Sequence, residues 1–363
     1  MGGDLDQKNL KVLSVYHVIF LVQNIMIGTG ILALPQRLSV LGYSQILMPI
    51  YFGVIASVTL WPMVWLCSQY KGDNLFRINE ILLGKWIGKS FNILLVLQFT
   101  LFVAGIVSNY MNLIQSTALP EQTMTLPIIL LLVLLTYIVN GGIKTIARFC
   151  TLSFFLTIPM VYFLRWGIEK GEFSHIFPLF NFTAKEFWNA LQEGYLSILG
   201  YELILFYFPY IVNQKKAYKH TLIGIWITIA IFFMTTLVSV MYYSEWQLRN
   251  IQFSVLHLFK AGELSFVERI DIMGITLWVF LILTTVAGYL WSAKKGLDSL
   301  RSKKSNYHVY YIVIVIFGII MLPTSREFQE KLFEASFYIE YIVLAWPIFL
   351  CLIHLVRKKQ VQS

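Results

Sequence analysis

Long apolar runs, little interrupted by charge, recur along this chain and set its predicted elements. They predict helices over 12–35, 43–67, 91–115, 125–140, 147–166, 188–211, 220–242, 271–292, 308–323 and 335–356. A bilayer core takes about 20 mostly apolar residues per helical crossing. Backbone groups find no water there, so crossings are helices or a closed barrel. These runs are apolar on most faces and lack the alternation of a barrel strand. The pattern therefore predicts an all-α integral membrane protein with ten transmembrane helices, in one domain over 1–363. The outer loops 167–187 and 243–270 and the inner loop 68–90 are each expected to hold a short interfacial helix.

Charge gives the orientation. Lysine and arginine cluster in alternate gaps. With the N-terminus inside, 19 of the 28 fall on the inner side: Lys8, Lys11, Lys71, Arg77, Lys85, Lys89, Lys144, Arg148, Lys215, Lys216, Lys219, Lys294, Lys295, Arg301, Lys303, Lys304, Arg357, Lys358 and Lys359. The positive-inside rule then puts both termini in the cytoplasm. A short basic turn, Asn140–Arg148, is expected midway along the chain. The composition agrees with a membrane protein, at 58% hydrophobic and 13% charged residues. A net charge of +9 spread over one membrane face implies attraction to anionic lipid headgroups and not to nucleic acid. The first run is too long for a cleaved signal, and Asp6 stands where a myristoylation motif carries Ser or Thr. Cys67, Cys150 and Cys351 fall near inner ends, have no metal spacing and are expected as free thiols.

Two spans contain glycine interruptions. The first reads Ile27-Gly28-Thr29-Gly30-Ile31, and each Gly costs a helix about 1 kcal/mol relative to Ala. A break there frees carbonyls before it and amides after it, which must line a cavity or meet protein. The amides suit an anion and the carbonyls a cation or ammonium. The sixth span has Gly200 at a matching depth, in Ser197-Ile198-Leu199-Gly200-Tyr201-Glu202. Breaks five spans apart point to a five-plus-five inverted repeat, with one repeat over about 12–166 and the other over about 188–356. Glycines also serve close helix packing alone, and that role stays open here.

Glu202 is read as the one acid well inside a span; Glu193, Asp271 and Glu334 fall at interfaces and Glu340 near one. A charge at the bilayer midplane costs about 2.5–3.5 kcal/mol on insertion scales. Glu202 is then a titrating or ammonium-binding group beside the break, or a neutral carboxyl bonded to freed backbone. Gln23, Asn24, Gln98, Ser108 and Asn109 either line a site or bond between helices. Thr284 and Thr285 either join the first span's carbonyls or bond their own backbone. His17 and His354 read as interfacial. There is no P-loop, Gly-x-Ser-x-Gly, His-Glu-x-x-His or Cys-x-x-Cys, so neither an enzyme nor a cofactor is expected.

The stretch Ile27-Gly28-Thr29-Gly30-Ile31-Leu32-Ala33-Leu34-Pro35 resembles the first-helix break of the amino acid–polyamine–organocation transporters, which have the LeuT-like fold. Over nearly its whole length the chain is most similar to the GerAB-like spore germination proteins, the B subunits of nutrient-germinant receptors. Chain length, span count, the turn containing Ile146-Ala147-Arg148, and Glu193-Gly194-Tyr195 through Glu202 to Pro209 carry that resemblance. It implies a multi-pass protein of the inner membrane of a spore, beside an A-type membrane subunit and a C-type lipoprotein. It also implies a small nutrient ligand, typically an amino acid. The implied pocket uses Gly28, Thr29 and Gly30 with Gly200, Tyr201 and Glu202; Gly105, Ser108 and Thr284 are its walls. The fifth span has no mid-span lysine, which some proton-coupled relatives carry, and Arg165 is too near the outer end. The alternative reading is a proton-coupled amino-acid transporter in which Glu202 titrates.

Overall fold

The computed structural model describes residues 12–262, 270–301, 305–322 and 326–362. Lys8, Lys11, Lys303, Lys304, the amino-terminal motif reading and the end of the 243–270 loop lie outside the described residues. The first span is two helices, α1 (Val15–Ile27) and α2 (Gly30–Arg37), bent by 53° at Gly28-Thr29. Gly28 has φ 38° and ψ −144°, a region that glycine enters at no steric cost. A 3-10 segment, Ser39–Leu47, leads to α3 (Met48–Gln69). The Asn74 side chain caps α4 (Leu75–Leu83) through the Arg77 amide, and α5 (Lys85–Thr117) follows Gly84.

Next come α6 (Thr125–Asn140) and α7 (Gly142–Thr157), which continues through a 3-10 segment, Ile158–Leu164, into α8 (Arg165–Glu169). The expected basic turn Asn140–Arg148 is corrected here. The reversal is confined to Gly141-Gly142, with Gly142 at φ 79°, and 143–148 already belong to α7. One left-handed glycine makes the whole turn, so the fifth span starts earlier than 147. The sixth span is the most fragmented. After α9 (Ala184–Tyr195) come a 3-10 turn at Leu196–Ile198, extended Leu199, Gly200 at φ 127°, a second 3-10 turn at Tyr201–Leu203, and α10 (Ile204–Tyr207). The remaining helices are α11 (Ala217–Tyr242), α12 (Glu245–Asn250), α13 (Ser254–Leu258), α14 (Ile270–Arg301), α15 (Tyr307–Met321) and α16 (Arg326–Gln362).

Among the described residues six helical segments are long and apolar enough to cross a membrane, and the bent α1–α2 pair passes the same test as one unit. The apolar helices α6 and α15, of 16 and 15 residues, are shorter. At 1.5 Å per residue they reach roughly 22–24 Å, against a hydrocarbon core of about 30 Å. Their outward faces carry Leu126, Val133, Tyr137 and Ile314, all more than half exposed. A contiguous apolar exterior of this kind belongs against lipid. Short helices do occur in the long loops: α4 within 68–90, a 3-10 turn at Phe173–Ile176, and α12 and α13 within 243–270.

The bundle is organised around α1. It packs on α7, α11 and α14, while α14 lies along α5 and α16 covers α5 and α3. The entry to the first span is stitched to the exit of the sixth. The Val12 and Leu13 amides donate to the Tyr210 carbonyl at 2.9 Å, and the Val212 amide donates to Leu13 at 3.0 Å. The two interrupted spans therefore run as one paired unit through the middle of the molecule.

Candidate functional site: the meeting of two interrupted helices

The freed carbonyls of α1 find donors on α14 and α11. Trp278 Nε1 donates to the Gly28 carbonyl at 2.9 Å. The Thr285 hydroxyl lies 3.3 Å from the Asn24 carbonyl and 3.1 Å from that of Ile25. Thr228 reaches the Gln23 carbonyl at 3.3 Å. Thr284, the candidate wall, donates to Leu281 of its own helix at 2.8 Å and reaches nothing on α1; Thr285 also lies 3.0 Å from the Leu281 carbonyl, but it alone of the two reaches the break. Helical spacing explains the exchange: Trp278, Leu281 and Thr285 follow an i, i+3, i+7 stripe, and Thr284 lies off it.

The sixth-span break is held from within. The Gly200 amide donates to Glu202 Oε2 at 2.7 Å, and the Tyr289 hydroxyl donates to Glu202 Oε1 at 2.5 Å. Beside them Tyr201 is 2.6 Å from the Tyr195 hydroxyl and 2.7 Å from Thr59 Oγ1. Glu202, Tyr201 and Tyr289 are all fully buried.

The two breaks touch. A Cβ added at Gly200 would sit 2.8 Å from Ile25 Cγ2 and 3.1 Å from the Ile25 oxygen. One added at Gly30 would sit 2.7 Å from Ser197 Cα, which is backbone that cannot step aside. At Gly28 the nearest atoms, of Thr285, are 3.6 Å away, so there only the backbone conformation calls for glycine. Gly28, Thr29, Gly30, Gly200, Tyr201 and Glu202 are thus brought to one place. Gly105 is not among them: its missing side chain makes room for Phe333 of α16, at 3.3 Å. Ser108 lies half-buried three residues further along α5.

For two of the polar residues the structure selects bonding between helices. Asn24 is a strut: its Nδ2 donates to Gln23 Oε1 at 2.7 Å and to the Cys150 carbonyl of α7 at 2.9 Å. Gln98 reaches α16, donating to the Ser336 carbonyl at 2.5 Å and to Glu340 Oε1 at 3.0 Å. Glu340 was expected near an interface, yet it is fully buried, so Glu202 is not the lone interior acid. The helix carrying Glu340 begins at Arg326 and not at 335, which moves that residue well inside the bundle. Cys67, Cys150 and Cys351 are buried free thiols.

A cavity of about 40 Å³ borders the first-span break on the face of Gln23, Ile27 and Ile31, closed by Phe154, Trp278 and Leu281. Its volume is on the order of a few water molecules. Its lining includes none of Gly200, Tyr201 or Glu202. The breaks are therefore shut against each other, with the freed groups just described within reach of side chains of the protein itself.

A family model described as "Spore germination protein" matches residues 12–329. Spore germination protein GerQB of Bacillus cereus is 25% identical over 316 residues, covering 86% of this chain and 87% of that one. Spore germination protein B2 of Bacillus subtilis (strain 168) is 22% identical over 362 residues, 97% and 98% of the two chains. Spore germination protein A2 of the same organism is 24% identical over 344 residues, 92% of each. Among solved structures, Mhp1, a nucleobase-cation-symport-1 family transporter in a closed conformation with bromovinylhydantoin bound, superposes with a TM-score of 0.63. At 14% identity it covers 89% of this chain and 75% of its own, which establishes the fold as that of a LeuT-type membrane transporter. The chain belongs to the spore germination protein family.

Proposed function

We propose that this spore germination protein is the ligand-binding membrane subunit of a nutrient-germinant receptor. It takes a small nutrient, an amino acid, where its two interrupted helices meet. The observation that carries this reading is the way the breaks are satisfied. Glu202 supplies an anion to the Gly200 amide, Trp278 donates to the Gly28 carbonyl, and the one hydroxyl proton of Thr285 lies within reach of the Asn24 and Ile25 carbonyls. An amino-acid zwitterion carries the same two functions on one carbon: a carboxylate for the amide end and an ammonium for the carbonyl end. It binds by replacing the protein's own groups. Gly28, Thr29, Gly30, Gly200, Tyr201 and Glu202 form the contact surface, with Thr285 in the place first given to Thr284.

Such a ligand acts only through its different affinity for the closed and opened arrangements. Opening separates Gly200 from Ile25 and Gly30 from Ser197, and an A-type membrane subunit and a C-type lipoprotein read the change. The setting is the inner spore membrane, with both termini cytoplasmic as the basic segments suggest. The two repeats, about 12–166 and 188–356, move against each other within one membrane domain.

Purified protein screened against single amino acids by thermal shift tests the reading, because a ligand bound to the folded state raises its apparent stability. A shift with one or a few amino acids, lost in Gly30→Leu, is expected; no shift with any nutrient sinks it. The symporter fold of the structural neighbour favours a second reading, a proton-coupled amino-acid carrier. Gradient-driven uptake of labelled amino acid into liposomes selects the carrier, and binding without flux selects the sensor.

A further inference from the structure

Behind the sixth-span break lies a polar cluster that the ligand reading leaves unused. Glu340 of α16 is 0% exposed and Gln98 of α5 is 4% exposed. Gln98 Nε2 donates to Glu340 Oε1 at 3.0 Å. The other two oxygens of this pair, Glu340 Oε2 and Gln98 Oε1, are buried with no protein hydrogen-bond partner among the described residues. Both are acceptors, and a single donor placed between them completes both.

Among the described residues no cationic side chain serves the pair. Glu340 lies within electrostatic reach of Glu202, and Tyr289 lies within reach of both acids. Phe102 and Phe99, beside Gln98 on α5, meet the Tyr289 ring at 4.5 and 5.7 Å. The titratable groups facing Glu340 are thus Glu202 from the sixth span and Tyr289 from α14; Tyr201 faces Glu202 and Tyr289, and Tyr195 of α9 is bonded to Tyr201. Among the described residues the hydrogen-bond partners of the two carboxyls are Gly200, Tyr289 and Gln98, none of them cationic. The Arg37 guanidinium serves Ser197 at 3.4 Å and faces Glu193, Glu334, Tyr338 and Tyr341 instead. Two uncompensated carboxylates side by side in an apolar bundle are not tolerated.

We propose that Glu340 and Gln98 form a proton-binding site, with the proton on Glu340 Oε2 and donated to Gln98 Oε1. A carboxylic acid and a primary amide then make a closed two-bond pair, each donating once and accepting once. Glu202 is the member that stays ionised, because its two oxygens already receive the Gly200 amide and the Tyr289 hydroxyl. The site ties α16 to the break: whatever draws Glu202 from Gly200 leaves its charge short of a donor and in competition for the proton. That link rests on the proposed ligand site, whereas the proton site itself does not.

Infrared spectroscopy of the full chain in lipid at neutral pH tests this without any nutrient. The expected result is a carboxylic-acid carbonyl band that shifts in heavy water, is lost in Glu340→Gln and is retained in Glu202→Gln. Gln98→Leu keeps the acid but removes its acceptor, so the band persists at higher frequency; this variant decides the matter if Glu340→Gln does not fold. A wild-type spectrum without the band overturns the proposal, as does a band indifferent to position 340. Thermal stabilisation by sodium or potassium that depends on Glu340 also overturns it, assigning the site to a metal cation. With the band established, amino-acid addition that alters it supports the link to the breaks. An unaltered band with demonstrated binding removes the link and leaves the proton site standing.

Discussion

Three glycines at the crossing separate two physical costs that are usually confounded. Gly28→Ala places a side chain at φ 38° but meets nothing closer than 3.6 Å, so it pays for backbone conformation alone. A residue held in such a region costs about 1–3 kcal/mol. Gly30→Ala is the converse: the position is helical, but the new Cβ lies 2.7 Å from Ser197 Cα. Overpacking of about 1–3 kcal/mol is offset by about 1 kcal/mol of helix propensity, leaving roughly 0–2 kcal/mol. Gly200→Ala suffers both, with φ 127° and contacts of 2.8 Å to Ile25 Cγ2 and 3.0 Å to the Ile25 carbonyl carbon. Its expected loss is the sum of the two terms, about 2–6 kcal/mol. That is a large share of the roughly 5–15 kcal/mol that holds a folded domain. Equilibrium unfolding of the three variants in mixed micelles measures the order, with Gly200→Ala the most damaging. A Gly200→Ala variant as stable as wild type, or more stable than Gly28→Ala, refutes the claim that the two interrupted helices meet backbone to backbone.

Other substitutions probe the donors and one cap. Trp278→Phe keeps an aromatic ring and leaves the buried Gly28 carbonyl without its indole donor; a loss of about 1–3 kcal/mol in thermal unfolding is expected, and an unchanged midpoint means that another donor serves that oxygen. Thr285→Val is expected to destabilise more than Thr284→Val, because only Thr285 bonds α1; equal effects in the same assay contradict the assignment. At the start of α9 the Thr183 amide and hydroxyl hold the Glu186 carboxyl below its ordinary value of 4.5. The cap's contribution is then full above that value and is lost as pH falls through the lowered one, so hydrogen exchange of the first turn of α9 should quicken on acidification in wild type but not in Glu186→Gln.

The breaks were legible because their cause is local. Glycines at 28, 30 and 200 inside otherwise apolar runs announce a backbone that helix propensity does not favour. Their partners were not legible, since periodicity assigns a residue to a face without saying what the face meets. Thr284 and Thr285 are indistinguishable by type, and only the register with Trp278 separates them. Glu340 was misplaced for a different reason. The opening turns of α16 carry Glu327, Lys331 and Glu334, whose charges read as loop, yet Lys331 pairs with Glu327 one turn away at 2.6 Å and the helix runs through them. Intrahelical ion pairs of this kind let a helix extend past the apolar run that hydropathy detects. Gln98 and Glu340, 242 residues apart, offered no sequence signal for their pairing.

The closed arrangement constrains any ligand that enters it. A transporter-like break left bare would bind a zwitterion strongly, but here the Gly200 amide and the Gly28 carbonyl already have internal partners, and Thr285 lies within reach of the Asn24 and Ile25 carbonyls. Binding therefore exchanges one set of hydrogen bonds for another, and the net gain per exchanged bond is the small difference between them, not the strength of either. The cost of parting Gly200 from Ile25 and Gly30 from Ser197 must also be met before the ligand is seated, which lowers apparent affinity by the fraction of molecules open at rest. A protein built this way trades affinity for a large structural response. That bargain suits a sensor whose output is a change of shape, and it suits less well a carrier that must release its cargo repeatedly. For a ligand bound as proposed, the contacts that keep the breaks shut are thus as much a part of recognition as the dipoles they cover.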